Sequence, residues 1–229
     1  MDTVLAEAIE FADDVTELLQ FSLPDSPEMD VTETGDRVKI SPLGQTERAG
    51  GIPLKINDEV LAWLRIDYLC RLDSSQTYMA IDSSKMWIVA DVDSTPIIRF
   101  EYLYEADWVP HSHIQVHGER GALSHLLTKT ERKKPHDMSA LHLPTGGARF
   151  RPSLEDIVQF LVVDCKFDRL VSWHEVVDKH REKWRRKQTR AAVRSMAEEA
   201  ANELIELGYA VEPPEGGHPK TGTKARRTW

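Results

Sequence analysis

The sequence predicts an α+β fold, in which an antiparallel β-meander carries a packed helix and continues into a long helical extension at the C-terminal end. In the middle of the chain, short runs of alternating apolar and polar residues are separated by turn-forming Asp, Ser and Pro residues. Strands joined by tight turns usually pair antiparallel. After residue 153 the apolar residues recur with the period of a helix, and this pattern continues to about residue 207.

The composition excludes several classes of protein. The chain has 229 residues, of which 41% are hydrophobic and 29% are charged, as in ordinary globular proteins rather than collagen-like or disordered ones. No apolar run approaches the roughly 20 residues that span a bilayer, and the first residues lack the features of a secretory signal. Cys70 and Cys165 match no metal or redox motif, so we expect a cytoplasmic location and no membrane partner.

The negative charge of the chain is concentrated at its N-terminal end. The net charge is −9, and residues 1–50 alone contain 12 acids and only three bases, so the rest of the chain is balanced. An acidic segment of this kind suits a basic protein partner. A solvated helix face is the alternative interpretation.

The first 52 residues are predicted to contain one helix and a linker. Between Val4 and Leu19 the apolar residues recur at helical spacing with acids between them, so residues 1–21 are predicted to form an acidic amphipathic helix. Pro24 should end it. Residues 22–52 are rich in Asp, Glu, Ser, Pro and Gly and are predicted to be a linker, with at most a short strand near residues 36–40.

Residues 53–170 are predicted to form the α+β core domain. The alternation between Asn57 and Leu72 favours a strand, although the apolar residues there also fit a helix. The packed helix should begin after Ser153, which forms a predicted capping box with Asp156. Further strands are predicted at residues 78–81, 85–90, 97–104, 113–117 and 140–143.

Residues 172–208 are predicted to form the helical extension. Ser172 and Glu175 form a second predicted capping box. A continuous helix of this length would reach roughly 50 Å, so we expect it to break near Thr189 or to project from the core. Residues 209–229 are predicted to be a disordered basic tail.

The most distinctive motif is a row of histidines. Because even numbers separate His111, His113 and His117, their imidazoles would project with Gln115 from one face of a continuous strand. Imidazole can act as a general acid or base near neutral pH, and Arg120 could hold a phosphate. These three histidines and Arg120 are therefore the predicted catalytic residues. A polar strand surface is the alternative, and no metal site is predicted because no carboxylate occupies an obvious fourth ligand position.

Two further segments carry positive charge. A glycine pair followed by Arg149 and Arg151 precedes the helix that starts after Ser153, and both arginines are predicted to bind phosphate. A hairpin turn and a capped helix are the alternative there. The stretch 179–194 is crowded with bases, a pattern that suits a phosphate backbone, an acidic segment of this chain or a partner, or simply a solvated helix face. The predicted nucleic-acid or partner contacts are Lys183, Trp184, Arg185, Arg186, Lys187 and Arg190.

A strand with Arg99, Glu101 and Tyr102 is followed by Pro-His-x-His at 110–113, and then by Pro-Ser-Leu-Glu-Asp from Pro152. Over residues 60–165 this series resembles the small TumE-like toxin–antitoxin proteins. The motifs HxQVH and LHLPxGGxRFRPSLED also resemble uncharacterised actinobacterial proteins. The chain departs from the family in being longer at both ends and in carrying an insertion before the helix. The resemblance implies a toxin or defence context and no particular reaction.

The sequence therefore supports three hypotheses about function, of which the third is a direct nucleic-acid binder that uses the helix around Trp184. The first is a toxin-like protein of a bacterial toxin–antitoxin or defence system that acts on RNA or nucleotides through the histidine row. The alternative is a non-catalytic binding subunit of such a complex, which would use its acidic N-terminal helix and its basic C-terminal helix as contact surfaces. A protein partner is expected, nucleic acid is the second candidate partner, and the sequence identifies no cofactor.

Overall fold

A computed structural model of the chain describes residues 2–46, 50–73, 78–104, 106, 109–118, 121–129, 137–138, 142–145 and 151–217. The described helices are α1 (Asp2–Gln20), α2 (Gly121–Lys129), α3 (Leu154–Val163), α4 (Trp173–Ser195) and α5 (Ala197–Glu206). The described strands are β1 (Met29–Thr34), β2 (Arg37–Pro42), β3 (Ile52–Ile56), β4 (Glu59–Leu72), β5 (Met79–Ala90), β6 (Pro96–Leu103), β7 (Ser112–Val116) and β8 (Leu143–Pro144). The predicted α+β class is confirmed.

The described strands form one antiparallel sheet around the long strand β4. The strand order is β1-β2-β4-β5-β6-β7-β8, and β3 also pairs with β4. Along one edge of β4, β3 pairs with the first half of the strand and β2 with the second half. Between them, Gln45 uses its side-chain amide like a short piece of strand, accepting from the backbone N–H of Ile66 and donating to its carbonyl.

The hydrophobic core lies between one face of the sheet and the helices α1, α3 and α4. The even-numbered residues of β4 face this core, which confirms that the segment is a strand and not a helix. Phe11 of α1 meets Tyr68 edge-on with ring centroids 5.0 Å apart, and Phe160 of α3 meets Phe100 at 6.4 Å. The alternating residues of the same strands therefore point to the opposite face.

Helix α1 belongs to the core. It buries Val4, Ala8, Leu18 and Leu19, each at most 2% exposed. The Glu7 carboxylate of α1 accepts a hydrogen bond from the backbone N–H of the first residue of β5. The first helix of the chain is therefore part of the structure and not a detached arm.

Residues 22–52 differ from the predicted linker because they contain β1, β2 and the start of β3. Polar residues dominate this segment, so its sequence shows little alternation of apolar and polar residues. In β2, Val38 and Ile40 are fully buried. A similar difference occurs at Asp82, which was predicted to lie in a turn and instead lies within β5. Its carboxylate is paired with Arg37 and Arg71, so a charged residue is accommodated inside the strand.

The C-terminal helices differ from the sequence prediction in two details. Ser172 makes no side-chain cap, because its hydroxyl donates to the carbonyl of Phe21 and ties α4 to the end of α1. The extension breaks at Met196, where φ is −138° and ψ is 57°, and not near Thr189. By contrast, the predicted capping box at the start of α3 is confirmed.

Beyond α5, the described residues 209–217 form neither helix nor strand, and residues 218–229 of the predicted tail lie outside the described residues. Helix α5 ends in a Schellman-type cap, in which Gly208 has φ of 89°. Among the helices that the structure describes, none combines the length and the apolar composition needed to cross a membrane.

Removing residues 2–21 is expected to abolish cooperative unfolding. The deletion exposes the core face of the sheet, and losing several fully buried aliphatic side chains at about 2–4 kcal/mol each exceeds the usual stability of a domain. Circular dichroism during urea denaturation measures this loss. The matched control is a truncation after Met196, which removes α5 and only one residue buried in a helix, Ala201. A cooperative transition that survived the loss of α1 would contradict the central role of this helix.

Candidate functional site

The sheet face opposite the helices, which we call the polar face, carries charged and aromatic residues in rows that cross the strands. One row runs from Lys85 through Glu101 to His113 in the register of β5, β6 and β7. The adjacent row contains Trp87, which lies beside Arg99, and the guanidinium carbon of Arg99 is 5.1 Å from the centre of the Trp87 ring system. Directly opposed side chains in a sheet are in contact range, so these residues form a continuous polar surface.

Glu101 connects the residues of the polar face. One carboxylate oxygen accepts a hydrogen bond of 2.8 Å from the indole N–H of Trp87, and the other lies 3.3 Å from Nε2 of His113. Burial acts to raise the pKa of Glu101, but the hydrogen bonds from His113 and Trp87, with the nearby Arg99 charge, outweigh burial and lower it. Glu101 is therefore held as a carboxylate in a partly buried setting.

His113 is enclosed and bonded on both sides of its ring. The side chain is 1% exposed, and Nδ1 lies 2.9 Å from the carbonyl oxygen of Pro110 while Nε2 faces Glu101. Both partners are acceptors, so two hydrogen bonds require a proton on each ring nitrogen. This geometry encloses the His113 ring between two acceptors, with the Glu101 carboxylate facing Nε2.

A second histidine completes this cluster. His142 lies just before β8, and its ring meets the ring of His113 edge-on with centroids 4.8 Å apart. Its Nε2 lies 3.1 Å from the side-chain nitrogen of Gln115, which is the donor in this pair because an amide nitrogen has no acceptor capacity. We call Glu101, His113 and His142 the Glu-His-His cluster.

The predicted histidine row is only partly assembled. His113 and Gln115 share the polar face within β7, whereas His111 precedes the strand and His117 follows it as an exposed residue. Nδ1 of His111 lies 2.9 Å from the carbonyl oxygen of Leu103, so this ring is engaged at the end of β6. The predicted residues Arg120 and Arg149 lie outside the described residues.

The predicted phosphate ligand Arg151 lies on the other face of the sheet. Its guanidinium is 4.1 Å from the ring centre of Tyr102, which alternates with Glu101 along β6. Nearby, burial and the Glu155 carboxylate raise the pKa of Tyr68, and the Arg151 charge opposes them. The sheet therefore separates Arg151 from His113, and these two predicted residues do not converge on one site.

Sequence reasoning missed the participation of Glu101, Trp87 and His142 in this cluster. One signal was available, since Arg99 and Glu101 alternate with the apolar residues of a predicted strand and so belong to its polar side. The pairing of Glu101 with His113 depends on the register between β6 and β7, which no local pattern specifies.

Basic side chains along one flank of α4 are neutralised by α1. As residue numbers rise along α4, the numbers of the partner acids on α1 fall, so the two helices run antiparallel. The hydrogen bond from Lys179 is the largest influence on Glu17 and lowers its pKa, while Asp14 raises the pKa of Lys183. The pairs are Lys179–Glu17 at 2.5 Å, His180–Glu17 at 3.2 Å, Lys183–Asp14 at 2.5 Å and Lys183–Glu10 at 3.6 Å.

The outer side of α4 remains positively charged and exposed. Arg185, Arg186 and Arg190, which we call the arginine stripe, line a shallow open depression together with Arg181. Arg186 is also paired with Glu182 on its own helix. Within the part of the chain that the structure describes, Arg185, Lys187 and Arg190 form no ion pair or side-chain hydrogen bond.

Two of the predicted contact residues are placed differently from the arginine stripe. Lys183 is paired with Asp14 of α1. Trp184 continues the buried positions Trp173, Val177 and His180 at helical spacing and is half-buried, so it belongs to the inner side of α4.

Among the described residues, no group of three or more His, Cys, Asp or Glu side chains has an arrangement that could hold a metal ion. Comparison of the chain with protein-family models, with curated proteins and with solved structures found no match.

Replacing Glu101 with Gln is expected to destabilise the protein by about 2 kcal/mol at neutral pH, because the amide has one acceptor oxygen where the carboxylate has two, so its NH2 group faces either the indole N–H of Trp87 or the enclosed ring of His113. The folded-state pKa of Glu101 lies below its ordinary value of 4.5, so its stabilising effect is complete above that pH and disappears as the pH falls through the lower folded-state value. Urea unfolding at pH values from neutral to strongly acidic measures the difference between wild type and variant.

The matched control is Glu182→Gln, which removes an exposed carboxylate paired within one helix turn. It is expected to change the free energy of unfolding by less than about 1 kcal/mol at any pH. A Glu101→Gln effect that did not diminish at low pH would contradict the role of the Glu101 carboxylate.

Proposed function

We propose that this protein is a binding component that holds the phosphate backbone of a nucleic acid on the arginine stripe of α4. The observation that carries the proposal is the division of charge on this helix. Acids of α1 neutralise the lysines on one flank, whereas Arg185, Lys187 and Arg190 remain exposed and unpaired among the described residues. Exposed guanidinium groups are well suited to phosphate oxygens, which they can contact with two parallel hydrogen bonds.

The state of the Glu-His-His cluster supports binding over catalysis. A general acid or base must reach the proton that it transfers. Both ring nitrogens of His113 already face the acceptors Pro110 and Glu101, and the ring is nearly inaccessible. The His113 and His142 rings are in edge-to-face contact, which leaves no space between them for a phosphate group.

The position of α4 favours contact with the backbone over sequence readout. The first half of the helix is held by α1 through Lys183 and by α3 through Arg181, which is paired with Asp156. A helix held on two sides offers only its outer ridge and is not free to enter a groove deeply. Contacts limited to phosphates position a nucleic acid without reading its bases. The binding should therefore depend little on sequence and strongly on salt.

The cellular setting of the proposal is a bacterial toxin–antitoxin or defence complex in the cytoplasm. The motifs that resemble TumE-like proteins support this context, and the free thiols of Cys70 and Cys165 are compatible with a reducing compartment. In that setting the protein would be the non-catalytic subunit. Its acidic helix α1 would stabilise the fold, and α4 would contact the partner.

Replacing both Arg185 and Arg190 with Ala is expected to weaken binding of a labelled single-stranded oligonucleotide and to flatten its salt dependence. Each phosphate contact on a single strand contributes about 0.7 to the slope of log K against log salt, so the slope should fall by about 1.4. Fluorescence anisotropy over a series of salt concentrations measures both effects. Separate RNA and DNA oligonucleotides of one sequence show whether the 2′-hydroxyl contributes.

The matched control removes two exposed cations elsewhere, with Lys39 and Lys129 both replaced by Ala. These side chains lie on β2 and at the end of α2, away from α4. The proposal expects a smaller loss of affinity in this control than in the arginine variant. Equal losses would mean that the oligonucleotide responds only to net charge, and no binding by the wild type at low salt would overturn the proposal.

We propose a toxin-like enzyme acting on RNA or nucleotides as the second candidate function. The observation in its favour is the Glu-His-His cluster, in which a carboxylate and two imidazole rings follow one another on the polar face. Such a series could orient His142 towards a substrate, with Glu101 and His113 as positioning residues. Among the predicted catalytic histidines, His113 is the one that belongs to this cluster.

If the second candidate is correct, induced expression of the wild type in bacteria should arrest growth, and His142→Ala should relieve the arrest at equal levels of soluble protein. His174→Ala is the control, because His174 is an exposed histidine on α4. Growth curves of the three strains measure the effect. Equal growth of the wild-type and His142→Ala strains would exclude toxicity through this cluster and leave the binding function.

A further inference from the structure

Helix α5 presents an acidic surface that has no partner within the described part of the chain. Its alanines face inwards, with Ala201 buried, and α4 is the only element with which it shares extensive contacts. Four of its ten residues are glutamates and none is basic. No ion pair joins these glutamates to the described residues, although α4 carries several exposed arginines.

Large apolar residues border this acidic surface. At 100° per residue, Ile205 and Leu207 lie at its two borders, and they are 53% and 65% exposed. Tyr209, directly beyond the helix, is 64% exposed. Exposed apolar residues that cluster and are rimmed by charge are typical of a surface that docks onto another molecule.

The arginine stripe is complementary to this acidic surface in charge, spacing and length. Glu199 and Glu203 are four residues apart and share one side of α5, as Arg186 and Arg190 do on α4. The ten residues of α5 span about 15 Å, which is also the length of α4 from Arg185 to its last turn. Val193, an exposed apolar residue, follows Arg190 by one turn of the same helix.

We propose that two copies of the chain associate through reciprocal contacts, with α5 of each copy lying on the arginine stripe of the other. The arrangement is isologous, so every contact is made twice about a two-fold axis. Glu199 and Glu203 of one copy face the Arg186 and Arg190 positions of the second copy. Ile205 and Leu207 lose exposure at the same contact, which adds an apolar component to the ion pairs.

The association regulates the binding surface described above. The same arginines cannot contact α5 of a second copy and a phosphate backbone together, so dimer formation and nucleic-acid binding exclude each other. This consequence rests on the proposed nucleic-acid function, whereas the dimer itself does not. Because ion pairs at an exposed interface are screened, high salt weakens both states.

Sedimentation velocity of the full chain over a range of micromolar concentrations at low salt tests the dimer. The wild type is expected to shift from monomer to dimer as the concentration rises. The double variants Arg186→Glu/Arg190→Glu and Glu199→Arg/Glu203→Arg each place like charges in both contacts. Each alone is expected to weaken the dimer by roughly tenfold or more, since like charges at an interface are strongly unfavourable.

Mixing the two defective variants provides the decisive measurement. In the mixed pair, one contact is wild type and the other carries a reversed but attractive set of charges, so the dimer should return. A general loss of structure in either variant would not be rescued by mixing. Val171→Lys is the control for surface change, because this exposed residue precedes α4 and lies outside both contact surfaces.

The outcomes separate the dimer from the nucleic-acid function. A wild type that remains monomeric at every concentration, or variants that mixing does not rescue, would overturn the dimer. Glu199→Arg/Glu203→Arg retains the arginine stripe, so its oligonucleotide binding tests the proposed function independently. If an oligonucleotide binds the wild type without dissociating the dimer, the mutual exclusion is wrong and the arginines are not shared.

Discussion

The structure depends on burial of one face of β4 beneath α1, α3 and α4. Since side chains alternate along a strand, burying Leu64 and Ile66 on one side commits their neighbours to the other. The same constraint extends across β5, β6 and β7 and produces the polar face on which Glu101 and His113 meet. It also brings three helices to one side, where the acids of α1 lie within reach of α4. Both candidate sites therefore follow from the burial of this one face of the sheet.

The sequence predicted most of the regular elements correctly where the apolar period was strong, as in β4, α3 and the helices after residue 172. It failed at residues 22–52 because the buried positions there, such as Val38 and Ile40 of β2, are few and are surrounded by many turn-forming neighbours. The Glu101–His113 pair could not be predicted, because it depends on the register of two strands. The charges on α1 and α4 were visible in the sequence, but their mutual neutralisation follows only from the arrangement of the helices.

The two kinds of basic residue on α4 have different surroundings. Lys179 and Lys183 face α1, where a flexible stem and a compact charge can reach a carboxylate on a neighbouring helix. Arg185 and Arg190 face outwards, where a planar fork is better suited to phosphate or carboxylate groups of another molecule. The helix thus places Lys179 and Lys183 against α1 and leaves Arg185 and Arg190 exposed on its outer side. This division explains how a chain of net charge −9 retains a basic surface.

The hydrogen bonds of Gln45 affect how many backbone groups of the sheet remain unpaired. Where β2 and β3 meet along β4, the backbone of Ile66 would otherwise present an unpaired donor and acceptor at the edge of a strand. Unpaired strand edges are templates on which strands of other chains assemble into aggregates. The side-chain amide of Gln45 occupies both groups and closes this opening. One glutamine thereby leaves neither backbone group of Ile66 unpaired at the junction of β2 and β3 on β4, the longest described strand of the sheet.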